Sequence, residues 1–393
     1  MFALPFPETR TPRKPPAAAQ YNWLTERYDS PPEQLELDLP TLDDVLVAED
    51  GPVSLLTTEN GAQLYVAGFG LFLGKKSERV VVKKDRQVCA QVPFLRLQEI
   101  VVGSRGVSLS SDLLEELCAR GIRLAFLNNS GKPYALITSP LLTATVETRR
   151  AQMAAIGSER GAELARWMVA GKIHNQEKLL RYFGKSRTGE AGAELNRVAG
   201  QLRGLRRQAL EVSGDSAGAV RGTLMGYEGT AGRLYWKAIR GILPEGNGFE
   251  GRNPHQPGDA VNAALNYGYG ILYGHVWGAV MNAGLEPFAG FLHTDQSGKP
   301  SLVLDLVEEF RQPVVDRAIF SWLTKGGSLV QVKGMLDAAS REAIAGRVML
   351  RLQSVEPHRG KSHQIRSVIQ MQARLAASAV RGMREYRPFA FKW

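Results

Sequence analysis

One histidine and three acids carry the most chemistry in this sequence. His293 follows a Gly–Phe–Leu turn in AGFLHTDQSGKPS and precedes a helical stretch bearing Asp305, Glu308 and Glu309. On a helix, Asp305 and Glu308 stand three residues apart and share a face. Their neighbours Leu304, Val307 and Phe310 are apolar. An acid carried toward a core needs a partner, and a divalent cation is a good one. Glu228, in LMGYEGTAGRLYW, is flanked by small residues that let a ligand come close. The same acid, in the first turn of a helix beginning after Gly226, could instead serve only the helix dipole. Together Glu228, His293 and Glu308 make a candidate mixed nitrogen–oxygen site suited to Mg²⁺ or Mn²⁺. Such an ion polarises a phosphoryl oxygen and steadies attacking and leaving oxygens. The separations of 65 and 15 residues fix no geometry by themselves.

Other chemical signals are weaker. His275 lies in an apolar helix and reads as a core residue, while His358 and His363 sit in a basic tail, HRGKSHQIR, and could touch phosphates. HRGKS ends like a phosphate-binding loop, but the position five residues before Gly360 is Val355, not glycine. Gly68, Gly70 and Gly74 in GFGLFLG sit between strands and fit a hairpin or bulge better than a cofactor loop. Two cysteines, Cys89 and Cys118, are too few for a thiolate zinc site or an iron–sulfur cluster.

The elements that must position these residues fall in three stretches. Residues 1–55 are proline-rich and acidic, without a sustained period of 2 or 3.6. They read as an irregular extension that could dock through Tyr21 and Trp23. Residues 56–140 hold short Val-, Leu- and Phe-rich runs such as AQLYVAG, LFLGKK and RVVVKKD, separated by turn residues, which predict a small sheet domain. Within it, Ser110, Ser111 and Asp112 cap a helix that stops at Gly121. Residues 141–393 turn helical, with apolar residues at three- and four-residue steps, and SLVLDLVEEFRQPVVDRAIFSWLTKG reads as one helix. The apolar stretch Val261–Leu285 contains Asn262, Asn266, His275 and Asn282 and reads as a buried helix, not a membrane span. The fold class expected is α+β, a small N-terminal β domain followed by a large all-α domain.

Charge narrows the partner. The chain of 393 residues is 44% hydrophobic and carries a net +10. Residues 1–60 hold 4 basic and 11 acidic residues, so the remainder carries +17. A folded body that basic faces a polyanion, and nucleic acid is the commonest; the plainer alternative is a soluble protein of high pI. Candidate phosphate contacts are Arg149, Arg150, Lys172, Arg233, Lys237, Arg252, Lys299, Arg359, Lys361 and Arg366, of which each singly could be a solvated surface charge. The start, MFALPFPETRTPRK, has no apolar core of signal-peptide length, and the expected location is the cytoplasm.

The segments LMGYEGTAGRLYW, DAVNAALNYGYGILYG and AGFLHTDQSGKPSLVLDLVEEFRQPVVDRAIF, with KIHNQEKLLRYFG and SLSSDLLEELCARGIRLAFLN upstream, resemble the Cas1 family, the CRISPR-associated integrase of spacer acquisition. The resemblance spans roughly residues 60–393. It implies an N-terminal β-sandwich used for dimerisation and an α-helical, metal-dependent catalytic domain. It implies a homodimer assembled with the small protein Cas2 on double-stranded DNA, both the incoming fragment and the CRISPR repeat. The family's ligands fall on Glu228 of YEGTAG, His293 of FLHTD and Glu308 of DLVEEF, where some members have Asp; Asp305 would support a ligand or occasionally serve as one. The implied reaction is attack of a 3′-hydroxyl on a phosphodiester at the repeat boundary, with hydrolysis when water replaces it. Two alternatives stay open: a casposon-type mobile-element integrase, and a catalytically silent DNA-binding scaffold. Residues 1–55 lie outside the resemblance, and the sequence does not choose the CRISPR subtype or say whether a reverse transcriptase or trimming nuclease works alongside.

Overall fold

The structure is a computed structural model. It describes residues 52–391 except 59–60, 129–130, 132, 138–145, 255–257 and 333, together with the paired segments Tyr21–Asn22, Arg27–Tyr28 and Leu46–Val47. The chain divides into two compact units, Met1–Asp44 and Val45–Trp393. In the first, Tyr21–Asn22 pairs antiparallel with Arg27–Tyr28. The expected docking through Tyr21 and Trp23 falls on side chains outside the described residues.

The second unit begins with two five-stranded sheets. One orders Ser108–Leu109, Leu71–Lys76, Arg79–Lys84, Gln87–Pro93 and Leu46–Val47; the other orders Pro133–Ile137, Arg123–Leu127, Leu97–Val102, Gly61–Val66 and Val53–Thr58. Residues two apart share a face of a strand. Thus Leu64 and Val66, and Ile100 and Val102, meet Leu71 and Leu73, Val80 and Val82, and Ala90 and Val92 in one apolar core between the sheets. This is the expected sandwich. Asp85 and Arg86 turn one hairpin with φ of 50° and 68°, the double positive φ of the turn that suits the twist of a hairpin. Helix α1 (Ser111–Ala119) adds Leu113 and Leu117 to the same core, and Gly121, with φ of 67°, follows its end.

Helices dominate from Val146 onward: α2 (Val146–Ile156), α3 (Glu159–Lys185), α4 (Gly189–Leu210), α5 (Ala217–Arg240), α6 (Ala260–Asn282), α7 (Ser301–Val307), α8 (Arg317–Leu323), α9 (Ala338–Gln353) and α10 (Ile365–Val380). Most of α6 is buried, as its apolar run requires, and His275 is buried within it. Tyr65 of the sandwich and Tyr267 of α6 share a hydrogen bond of 2.6 Å. Among the described residues no helix is long and apolar enough to cross a membrane.

Three local expectations are corrected. Glu228 lies in the middle of α5, not in a first turn, so the dipole explanation for it fails. The stretch from Ser301 to Leu323 is not one helix: α7 ends at Val307, and a π-helical turn, Arg311–Asp316, intervenes before α8. Pro313 is the reason, since it has no N–H to bond the carbonyl four residues back and its ring crowds that carbonyl. The carbonyl left over is that of Glu309, and it accepts instead from Asn175 Nδ2 at 2.7 Å. Finally, the basic tail is a hairpin, Val355–His358 with Lys361–Gln364, turned by Arg359 and Gly360 at positive φ. Its His358 is buried near Phe389, with ring centroids 5.9 Å apart, rather than offered to solvent.

Candidate metal centre and its cationic groove

Glu308 follows α7 directly and keeps helical φ and ψ of −61° and −33°, just ahead of the break. Glu308 is buried at the end of α7, and its Oε1 pairs with Arg311 Nη1 at 3.0 Å. Its Oε2 faces Lys172 Nζ of α3 at 2.7 Å. The same ammonium bonds Glu228 of α5. Two carboxylates from separate helices therefore converge on one positive charge. Burial works against ionisation of Glu308, but the Arg311 guanidinium and the Lys172 ammonium overcome it and hold the carboxyl well below the usual range. Burial likewise opposes the Lys172 charge, and Glu308 and Glu228 more than restore it.

His293 is held by Asp305. The Asp305 carboxylate accepts three successive backbone N–H groups, from Phe291 at 2.6 Å, Leu292 at 3.0 Å and His293 at 2.9 Å. It also lies 2.7 Å from His293 Nδ1. An ionised carboxylate can only accept, so Nδ1 carries the proton and Nε2 keeps its lone pair free for a ligand. Gly290 makes the loop possible, because a Cβ there would stand 2.7 Å from Ser301 Cβ and 2.9 Å from Asp305 Oδ2.

These residues fit a divalent cation in kind. The donor set is two carboxylates and a neutral imidazole fixed by a carboxylate behind it, hard ligands of the sort Mg²⁺ and Mn²⁺ take. Glu308 Oε2 is a buried anionic oxygen that faces the Lys172 ammonium at 2.7 Å, so it already sits against a cation. In the present arrangement Lys172 stands between the acids, and among the described residues no three His, Cys, Asp or Glu side chains are grouped closely enough to ligate an ion.

Glu228 opens onto a groove. A cavity of about 520 Å³ is lined by Lys172, Glu228, Arg233, Lys237, Arg240, Arg252 and Arg311. Gly229 and Gly232 of α5 also line it, and a Cβ at either would meet nothing within 4 Å, so bare helix backbone borders Glu228. A second cavity, about 590 Å³, shares Arg252, Tyr269 and Arg311 with the first and adds Lys299, Tyr273 and Trp277. Arg252 and Arg311 lie over the Tyr269 ring at 5.4 and 4.8 Å.

Of the ten basic residues singled out from sequence, Lys172, Arg233, Lys237, Arg252 and Lys299 line these two cavities. Lys172 is a special case, being bound to the acids rather than presented on the surface. Arg149 and Arg150 on α2, Arg359 and Lys361 on the hairpin, and Arg366 on α10 line neither cavity. Sequence reasoning missed Arg240 and Arg311. Arg311 was detectable, since it follows Glu308 by three residues, but in a helix that spacing reads as an ordinary surface pair. It also missed Asn175 and gave Glu309 no role of its own; both tie the C-terminal segment to the turn bearing Glu308. Tyr386 Oη donates to Glu309 at 2.8 Å, Gln372 Nε2 donates at 3.1 Å, and the Phe389 N–H donates as well. Asn175 donates to Phe389 O and accepts from Phe391 N.

Comparison with known proteins agrees with this architecture. The family model described as CRISPR associated protein Cas1 matches residues 64–331. A CRISPR-associated endonuclease Cas1 of Archaeoglobus fulgidus is 33% identical over 350 residues, covering 84% of this chain and all of its own. In fold, the chain is similar to a casposase bound to integration product, with a TM-score of 0.70 at 21% identity over 84% of this chain and 93% of that one. It is also similar to a chain of a Cas6-RT-Cas1–Cas2 complex, with a TM-score of 0.69 at 20% identity over 85% of this chain and 37% of that one. With a sandwich, a helical lobe and a family match over most of its length, the chain belongs to the Cas1 family of CRISPR-associated endonucleases.

Proposed function

We propose that this chain is a metal-dependent DNA integrase that inserts short duplex fragments into a CRISPR array. The observation that carries the reading is the convergence of Glu228 and Glu308 on a single cation, with Glu228 and that cation lining a groove of arginine and lysine. Glu228, His293 Nε2 and Glu308 would hold one Mg²⁺ or Mn²⁺. Bound there, the ion supplies Lewis acidity toward a phosphoryl oxygen and eases formation of the attacking alkoxide. Asp305 keeps His293 in the tautomer that offers Nε2. Arg252 and Arg311, stacked on Tyr269, hold phosphate oxygens, and Arg233, Lys237 and Arg240 follow the strand along α5. The attacking group is the 3′-hydroxyl of the fragment and the target is the phosphodiester at the repeat boundary. Water in place of the hydroxyl gives strand cleavage.

Residues 56–140 supply the dimer contact and residues 141–393 the chemistry, in a cytoplasmic homodimer that works with Cas2. The Cas6-RT-Cas1–Cas2 complex, whose fold this chain shares, supports that partner. The likeness to a casposase bound to integration product favours strand joining as the reaction and leaves a casposon-type target as the second reading. The test is a strand-transfer assay with a labelled duplex and a supercoiled plasmid carrying a repeat, with and without Cas2, in Mn²⁺, Mg²⁺ or chelator. Metal-dependent joining that is lost in Glu228→Ala and His293→Ala supports the reading. DNA binding that is equal in chelator, with no joining under any metal, points to a silent scaffold.

A further inference from the structure

Lys172 occupies the position at which the two acids need a cation. Its ammonium bonds Glu228 and lies 2.7 Å from Glu308 Oε2, and the side chain is largely buried. A buried ammonium is costly alone, and so is a buried carboxylate brought together with a half-buried one. Each cost is removed by the other. Lys172 also lines the groove beside Glu228, Arg252 and Arg311, so a phosphate bound there comes within its reach. Lysine suits this role better than arginine. Its ammonium is a compact point charge on a flexible stem, able to change partners, whereas a guanidinium is a rigid fork.

We propose that Lys172 is a catalytic cation that exchanges partners. Without metal it ties Glu228 to Glu308. Once those carboxylates are committed to a divalent ion, the ammonium turns to a non-bridging oxygen of the phosphate in the groove. One ion and one lysine would then share the charge that two ions supply in two-metal sites. The centre is therefore a one-metal centre. This inference rests on the metal reading above.

The test uses the full chain and Mn²⁺ as the probe, with wild type, Lys172→Gln, Lys172→Arg and Glu308→Gln. In chelator, Lys172→Gln melts below wild type, because the acids face each other unscreened, and Mn²⁺ raises its Tm by more than it raises that of wild type. Calorimetric titration gives one Mn²⁺ per wild-type chain and about tenfold tighter binding by Lys172→Gln, which has no resident charge to displace. At saturating Mn²⁺, strand transfer by Lys172→Gln falls by about 10²-fold or more. Lys172→Arg keeps the wild-type Mn²⁺ affinity and recovers part of the rate. Mn²⁺ binding by Lys172→Gln no tighter than wild type, or transfer at the wild-type rate, overturns the proposal. Two ions per wild-type chain overturn it as well, whether or not the Gln variant folds. Failure of the underlying metal reading looks different: wild type, Lys172→Gln and Glu308→Gln then give the same Mn²⁺ isotherm.

Discussion

Glu308 and Glu309 are adjacent in the chain and equally buried, yet they face opposite sides of the turn after α7 and behave as different groups. On the groove side, Glu308 meets two cations, and these hold its carboxyl ionised against the cost of burial. On the far side, Glu309 meets the phenol of Tyr386, the amide of Gln372 and the backbone of Phe389, all neutral donors. There burial prevails and pushes the carboxyl up to about 7. Burial alone therefore decides nothing about an acid; the charge of its partners does. One side of the turn faces two cations, and the other pins the C-terminal segment to the turn that bears Glu308.

The sharpest way to break this comparison is to neutralise each acid in turn. Glu308→Gln is expected to lower strand transfer by about 10³-fold or more, whereas Glu309→Gln lowers it only a few-fold. A matched loss in both, measured at saturating metal, would mean that the two faces are not separate. Stability should sort the other way. Glu309→Ala strands three donors and leaves a cavity, and is expected to cost about 2–4 kcal/mol in denaturant unfolding.

Substitutions along α5 extend the contrast to DNA. Arg233→Gln and Lys237→Gln are expected to weaken duplex binding and to reduce the slope of log affinity against log salt by about one each. Arg359→Gln, on the hairpin and outside both cavities, is the control. An equal change there would place the DNA elsewhere.

The smallest effect concerns a third buried carboxyl. Asp316 accepts from Tyr235 at 2.7 Å and from Tyr269, and burial raises it from 3.8 to about 6 despite those bonds. An acid whose folded value is raised binds its proton more tightly in the folded state. Its contribution to stability is thus complete below pH 3.8 and lost as pH rises through about 6. Tm measured across that window should fall less steeply in Asp316→Asn than in wild type.

Much of this was legible in the residues. The period-two pairs Leu71 and Leu73, and Val80 and Val82, announced strands of a small sheet domain, and the apolar stretch Val261–Leu285 announced a buried helix. The types of Glu228, His293 and Glu308 suggested a metal centre. Three things were not legible. Glu228 sits among glycines, which read as a helix start, because sequence does not show that an open groove keeps their side of α5 bare. The break at Glu308 depends on Pro313 and on Asn175, 138 positions earlier, taking the carbonyl that proline leaves unpaired. Lys172 looked like one surface charge among many, and only the packing of α3 against α5 and the turn gives it two glutamates. Local periodicity predicts elements; long-range pairing of charges does not follow from it.

The central claim is that Glu228, His293 and Glu308 share one ion. It is tested most directly by growing crystals in Mn²⁺ and measuring the anomalous difference density at the manganese edge. The account predicts a single peak at ligating distance from Glu228, His293 Nε2 and Glu308, with Lys172 moved off the carboxylates. Density there that leaves Lys172 bridging the two acids with no manganese, while manganese binds elsewhere on the chain, would contradict it.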